Sequence, residues 1–278
     1  MILRSTLTAQ KLGFVFLGIM LFGLNGTANA EPVSFSTVLA DSTALADPND
    51  QAYAEHPLAK IWHYPTSQPE VPVVLIHGGC WSNEYGRDHT KAMATALSEH
   101  GFDIWLPEYR RVGDEGGGWP GSLDDVQAAL DYVEKQTGVK PIAVGHSAGG
   151  HLALRAAMRT DSNIAGVVAL APITDLVAYG AQEGSCQSMV APFMGDETYS
   201  PDGAYREASI RVEAISVPVS VLLGTSDPII GAEQVAAFNS DNLLLIEGAG
   251  HFDVIYPQSG AFDAVVTAIR KTIVDAKR

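Results

Sequence analysis

Gly145-His146-Ser147-Ala148-Gly149 sets a serine between two glycines in the G-x-S-x-G spacing. A neutral serine hydroxyl attacks poorly until a base takes its proton, and that base in turn needs a carboxylate to fix its tautomer. Both follow later in the chain. Asp227 stands in Leu223-Gly224-Thr225-Ser226-Asp227-Pro228, and His251 in Gly248-Ala249-Gly250-His251-Phe252-Asp253. Serine, acid, histidine is the order expected when the nucleophile sits on a sharp strand-to-helix turn. Upstream, His77-Gly78-Gly79-Cys80-Trp81 supplies a Gly-rich turn whose amides, with that of Ala148, would stabilise a developing oxyanion.

Each piece alone has an ordinary reading. A Gly-rich strand-to-helix loop also cradles phosphate. Asp before Pro is a common turn former, and a loop histidine needs no function. Asp175 and Asp253 compete for the role of acid. Asp175 comes one strand early for the usual order, and Asp253 is too near His251 in sequence to support it comfortably. Asp227 is therefore the expected partner, and the four parts together point to nucleophilic acyl transfer.

Such a site needs elements that aim it. Short, β-branched apolar runs at Val71–Ile76, Phe102–Leu106, Pro141–Val144, Ile164–Leu170, Val217–Leu223 and Leu243–Ile246 read as strands buried on both faces of a parallel sheet. Between them, Lys91–His100, Leu123–Gln136, Ala148–Arg159, Ala232–Phe238 and Phe262–Ala276 carry helical spacing. Alternation of this kind is an α/β fold, with the loops after the strands gathered along one sheet edge where ligands bind. Glu31 to about Ala54 reads as a loose lead-in with at most edge strands. Leu176–Val212 is long and broken by Gly and Pro, so it reads as a lid or pocket wall.

From about Leu75 onward the chain resembles the α/β-hydrolase superfamily, and within it the His-Gly-Gly-x-Trp esterases that include kynurenine-formamidase-like carboxylesterases. The resemblance rests on His77-Gly78-Gly79-Cys80-Trp81, Gly145-His146-Ser147-Ala148-Gly149-Gly150, Asp227-Pro228 and Gly250-His251. It implies an α/β-hydrolase fold, a Ser147/Asp227/His251 triad, and oxyanion donors at Gly78, Gly79 and Ala148. Tyr109-Arg110 with Asp124-Asp125 is also similar to this group and implies an internal Arg–Asp brace. The loop departs from the lipase-type His-Gly-Gly-Gly pattern in having Cys80 and Trp81, which argues against carrying over lipid specificity.

Composition bounds the substrate. The 278 residues are 46% apolar and 18% charged, typical of a globular protein, and a net charge of −15 disfavours nucleic acid as a partner. Arg4 and Lys11, the apolar run Leu12–Leu24 and Ala28-Asn29-Ala30 read as a secretory signal over residues 1–30. That run is too short for a membrane span, so no stable membrane anchor is expected. Losing the signal removes two bases and no acid, leaving 248 of 278 residues at a charge of −17 in a single catalytic domain, periplasmic or secreted.

The Met, Phe and Tyr residues of 176–212 either line an apolar pocket or pack that segment onto the sheet. Trp81, Met189 and Phe193 are the expected substrate contacts. No metal-ligand spacing is present and no cofactor is expected. Cys80 and Cys186 are either a bridge between the oxyanion loop and this segment or two buried thiols. The resulting expectation is hydrolysis of small neutral or aromatic carboxylic esters. Amide, peptide or arylformamide hydrolysis by the same triad is the alternative, and a non-catalytic binding protein on the same scaffold is the rival of a different class.

Overall fold

The computed structural model describes residue 1 and residues 31–67, 71–160 and 163–278. The secretory signal expected over residues 1–30 falls, apart from residue 1, outside them. Residues 31–278 form one compact unit. In chain order its elements are α1 (Phe35–Thr43), β1 (Gln51–Ala52), β2 (Lys60–Tyr64), β3 (Pro72–Ile76), α2 (Lys91–Glu99), β4 (Asp103–Pro107), α3 (Gly121–Thr137) and β5 (Ile142–His146). They continue with α4 (Ala148–Ala157), β6 (Gly166–Leu170), α5 (Leu176–Gly180), α6 (Val190–Met194), α7 (Gly203–Ala208), β7 (Val219–Gly224), β8 (Leu243–Ile246) and α8 (Phe262–Ala276).

The eight strands form one sheet in the order β1-β2-β4-β3-β5-β6-β7-β8. From β4 to β8 every neighbouring pair is parallel, and β1 and β2 add an antiparallel edge. Every residue of β3 to β7 is buried, as sequences such as Pro72-Val73-Val74-Leu75-Ile76 require when helices cover both faces. The Gly-rich turn after β3 and the serine after β5 are adjacent because β3 and β5 are neighbours, in register from Val73–Ile142 to Ile76–Gly145.

Several expectations need correction. The lead-in is not loose: Ser34 caps α1, its Oγ accepting the Thr37 amide at 3.2 Å, and Val38 and Ser42 are buried beneath it. β2 went unforeseen because Lys60-Ile61-Trp62-His63-Tyr64 mixes polar and aromatic residues, as an edge-side strand does. β8 is not buried on both faces. It closes the sheet, and Leu244 and Leu245 are exposed. Only one 3-10 turn, Ala232–Val235, forms where a helix over 232–238 was expected. Its Gln234 side chain is buried and accepts the amides of Thr174 at 2.8 Å and Asp175 at 3.0 Å, a local bonding pattern that helical spacing does not reveal.

The 176–212 segment consists of short helices that bury Tyr179, Val190, Phe193 and Tyr205 in the hydrophobic core. Among the described residues, no helix is long and apolar enough to cross a membrane.

Candidate active site

The serine elbow is shaped by what surrounds it. Ser147 has φ 54° and ψ −118°, a left-handed backbone that costs a non-glycine residue on the order of 1–3 kcal/mol. It is held there by its amide on the Leu170 carbonyl at 2.8 Å and by its own carbonyl accepting the His151 amide at 3.0 Å. A side chain on Gly145 would collide with the Gly149 carbonyl, and one on Gly149 would collide with the carbonyls of Ile76 and His77. The two flanking glycines are therefore demanded by the close approach of α4 to β3 and β5.

His251 Nδ1 donates to Asp227 Oδ2 at 2.8 Å, and the Asp227 carboxylate is fully buried. The other carboxylate oxygen, Oδ1, accepts the amides of Ile229 at 2.8 Å and Ile230 at 2.9 Å. Three donors on one buried carboxylate fix its direction. The competing acids are used elsewhere. Asp175 caps α5 through the amides of Val177 and Ala178, and Asp253 accepts the amides of Val33 and Gly250.

Ser147 and His251 line one cavity of about 170 Å³, though they are not hydrogen-bonded to each other here. His146, beside the serine, donates from Nε2 to the His251 carbonyl at 3.0 Å and so pins the backbone of that loop. Burial, and then the neighbouring His251, hold the His146 imidazole well below the ordinary histidine range, so it stays neutral.

The turn after β3 runs Gly79, Cys80 and Trp81 through φ 109°, 52° and 56°. Three successive positive φ values curl the loop tightly, and Gly79 and Cys80 reach the cavity wall. His77 braces this loop. Its Nδ1 faces the Gly78 carbonyl at 2.8 Å, its Nε2 faces Glu108 Oε1 at 2.7 Å, and its ring stacks on Tyr109 at 4.4 Å. Burial alone would raise the Glu108 carboxyl, but His77, Arg111 and the Arg87 amide outweigh it and bring Glu108 down to about 2.

The Arg–Asp brace also forms: Arg110 grips Asp125 from Nε at 2.9 Å and from NH2 at 2.7 Å, tying the turn after β4 to α3. Cys80 and Cys186 are joined as a disulfide with Cα atoms 5.1 Å apart, settling the choice between bridge and free thiols. Both cysteines line the cavity.

None of the three expected substrate contacts lines this cavity. Trp81 is fully buried and stacks on Phe193 at 4.4 Å, so both rings belong to the core. Met189 is half-buried and does not line the cavity. The walls are instead Phe35, Tyr85, His89, Ser185, Ile229 and Phe252, together with the disulfide. Phe35 was missed because the lead-in was read as loose. The N-cap Ser34, followed by apolar residues at Phe35, Val38 and Leu39, is the signal that marks it. Among the described residues, no group of three or more His, Cys, Asp or Glu is placed to hold a metal ion.

Sheet order, elbow and Gly-rich turn define an α/β-hydrolase fold. The structure of esterase B from Lactobacillus rhamnosis overlays with a TM-score of 0.66 at 18% identity, covering 87% of this chain and 96% of that one. A thermophilic esterase from Thermogutta terrifontis gives 0.63 at 18% identity, covering 82% and 92%. The BD-FAE family profile matches residues 61–241, and the chain belongs to that family.

Among curated proteins, the kynurenine formamidase avaC of Aspergillus versicolor is 33% identical over 110 residues, 35% of this chain and 39% of that protein. The uncharacterized protein YfhR of Salmonella typhimurium is 27% identical over 189 residues, 61% and 60%. The chain thus matches less than two thirds of the length of either curated relative.

Proposed function

We propose that this chain is a serine hydrolase that cleaves small, neutral carboxylic esters through an acyl-enzyme. The observation that carries the reading is the buried Asp227–His251 pair at 2.8 Å, set on the same cavity as a serine held on a left-handed turn. Ser147 Oγ attacks the carbonyl carbon while its proton passes to His251 Nε2. The carbonyl oxygen becomes an oxyanion to which Gly78, Gly79 and Ala148 offer their amides. The ester C–O bond then breaks, and His251 returns the proton to the departing alcohol oxygen. Water, deprotonated by the same imidazole, attacks the acyl carbon, and Ser147 leaves as the free hydroxyl with the carboxylic acid as product.

Charge supports a neutral substrate, because no Asp, Glu, Lys or Arg lines the cavity. His89 on its wall is pushed down to about 3 by burial and the adjacent His77, so it stays uncharged at neutral pH. Arylformamide hydrolysis is a second reading, favoured by the 110-residue match to a kynurenine formamidase. We also propose that the protein works outside the cytoplasm after loss of residues 1–30. The Cys80–Cys186 bridge supports this, since disulfides persist in oxidising compartments.

The test is labelling of the protein with a fluorophosphonate, followed by parallel assays on aryl esters and N-formyl aryl amides. Wild type is expected to label and Ser147→Ala to stay unlabelled while melting at a similar temperature. A folded wild type that takes no label overturns the catalytic reading. Faster turnover of formamides than of esters selects the second reading.

A further inference from the structure

The cavity beside Ser147 borrows a wall from the start of the unit. Phe35, on the first turn of α1, sits 5.5 Å from each of the rings of Tyr85, His89 and Phe252, centroid to centroid. With Ile229 and the disulfide these rings bound the apolar side of the site. Phe35 lies outside residues 61–241, the span shared with the family.

The lead-in is fastened at both ends. The Val33 amide donates to Asp253 Oδ2 at 2.9 Å, and the same oxygen accepts the Gly250 amide at 3.0 Å, so one carboxylate clamps the lead-in to the His251 loop. Pro32 rests against Gly250 closely enough that a side chain there would strike it. Farther along, Tyr256 Oη donates to Asp41 at 3.0 Å, and the buried Ser42 hydroxyl donates to the His89 carbonyl at 2.9 Å. α1 is therefore a strap from the His251 loop to the segment before α2, and Phe35 is its only ring turned toward the cavity.

Size gives the wall its consequence. A cavity of about 170 Å³ is close to the roughly 150 Å³ apolar void that accepts a single benzene ring, and far below the volume of a drug-sized ligand site. We propose that Phe35 is a specificity-determining residue that limits the group beside Ser147 to a short alkyl chain or one uncharged ring. The proposal rests on the serine-hydrolase reading above. Shortening Phe35 joins the cavity to the space its ring now fills, and enlarging it closes what remains. One methylene more or less in an apolar pocket shifts kcat/KM by about 10- to 200-fold, so removal of a ring is readily measured.

The experiment compares wild type, Phe35→Leu, Phe35→Ala and Phe35→Trp on p-nitrophenyl esters from acetate to octanoate, and on acetates of alcohols of the same lengths. Melting curves accompany each protein. The expected result is a ratio of octanoate to acetate kcat/KM, or of octyl to ethyl acetate, that rises at least about 10-fold in Phe35→Ala. It rises less in Phe35→Leu and falls in Phe35→Trp. Ratios that stay within about twofold of wild type in both series, in folded Phe35→Ala or in Phe35→Leu should the alanine variant melt early, overturn the proposal. A wild type that takes no fluorophosphonate overturns the hydrolase reading instead, so the two failures are distinguishable.

Discussion

The elbow at Ser147 and the strap carrying Phe35 meet at one cavity, yet different forces hold them. The elbow is fixed by backbone: glycines that no other residue can replace, a strained serine, and a neighbouring strand that supplies its hydrogen-bond acceptor. The strap is fixed by side chains, through a shared carboxylate, a buried hydroxyl and four aromatic rings. Backbone constraint leaves almost no choice of residue, whereas a wall of packed rings accepts many. Reaction type should therefore be hard to change by substitution in this molecule, and substrate choice easy.

The largest effect is expected on the elbow side. Asp227→Asn keeps the shape but lets His251 take the wrong tautomer, and kcat should fall about 10⁴-fold with acetate-to-octanoate preference unchanged. Steady-state kinetics on the ester series check this. A change in preference would show that chemistry and wall are not separable. Next is the bridge, which belongs to both regions because it ties the oxyanion loop to the 176–212 wall across 106 residues. Replacing both cysteines by serine should cost roughly 5 kcal/mol of stability by loop entropy, read as a lower denaturant midpoint that reductant no longer shifts.

Acid gives the smallest effect. Glu108 is drawn from 4.5 to about 2 in the folded state, so its stabilisation is complete above pH 4.5 and is lost as pH falls toward 2. His89, held near 3 instead of 6.5, penalises folding in the same direction once pH drops below 6.5. Melting temperature should be level above pH 6.5 and decline below it, with roughly 3 kcal/mol from Glu108 alone. Glu108→Gln should flatten the part below pH 4.5. A melting temperature that rises on acidification would contradict both assignments.

How far the sequence could be read follows the same division. Ser147, Asp227 and His251 were legible because their turns demand particular residues in a particular chain order, and β3 to β7 because burial on both faces demands unbroken apolar runs. The walls were not legible. Trp81 and Phe193 have the composition of pocket residues, but their rings stack on each other in the core, which spacing along the chain cannot show. Phe35 becomes a wall only through partners at 85, 89 and 252, residues far from it in sequence.

The clamp between Val33 and Asp253 spans 220 positions, and those from Asp41 to Tyr256 and Gln258 span 215 and 217. Contacts of that reach cannot close until residues 253–258 have been made, more than two hundred positions after Val33 and Asp41. The strap can meet Tyr85 and His89 early, but it waits for its partners in the His251 loop through more than two hundred positions. A product cut short before residue 252 could fold much of the sheet and still lack this wall and its clamp.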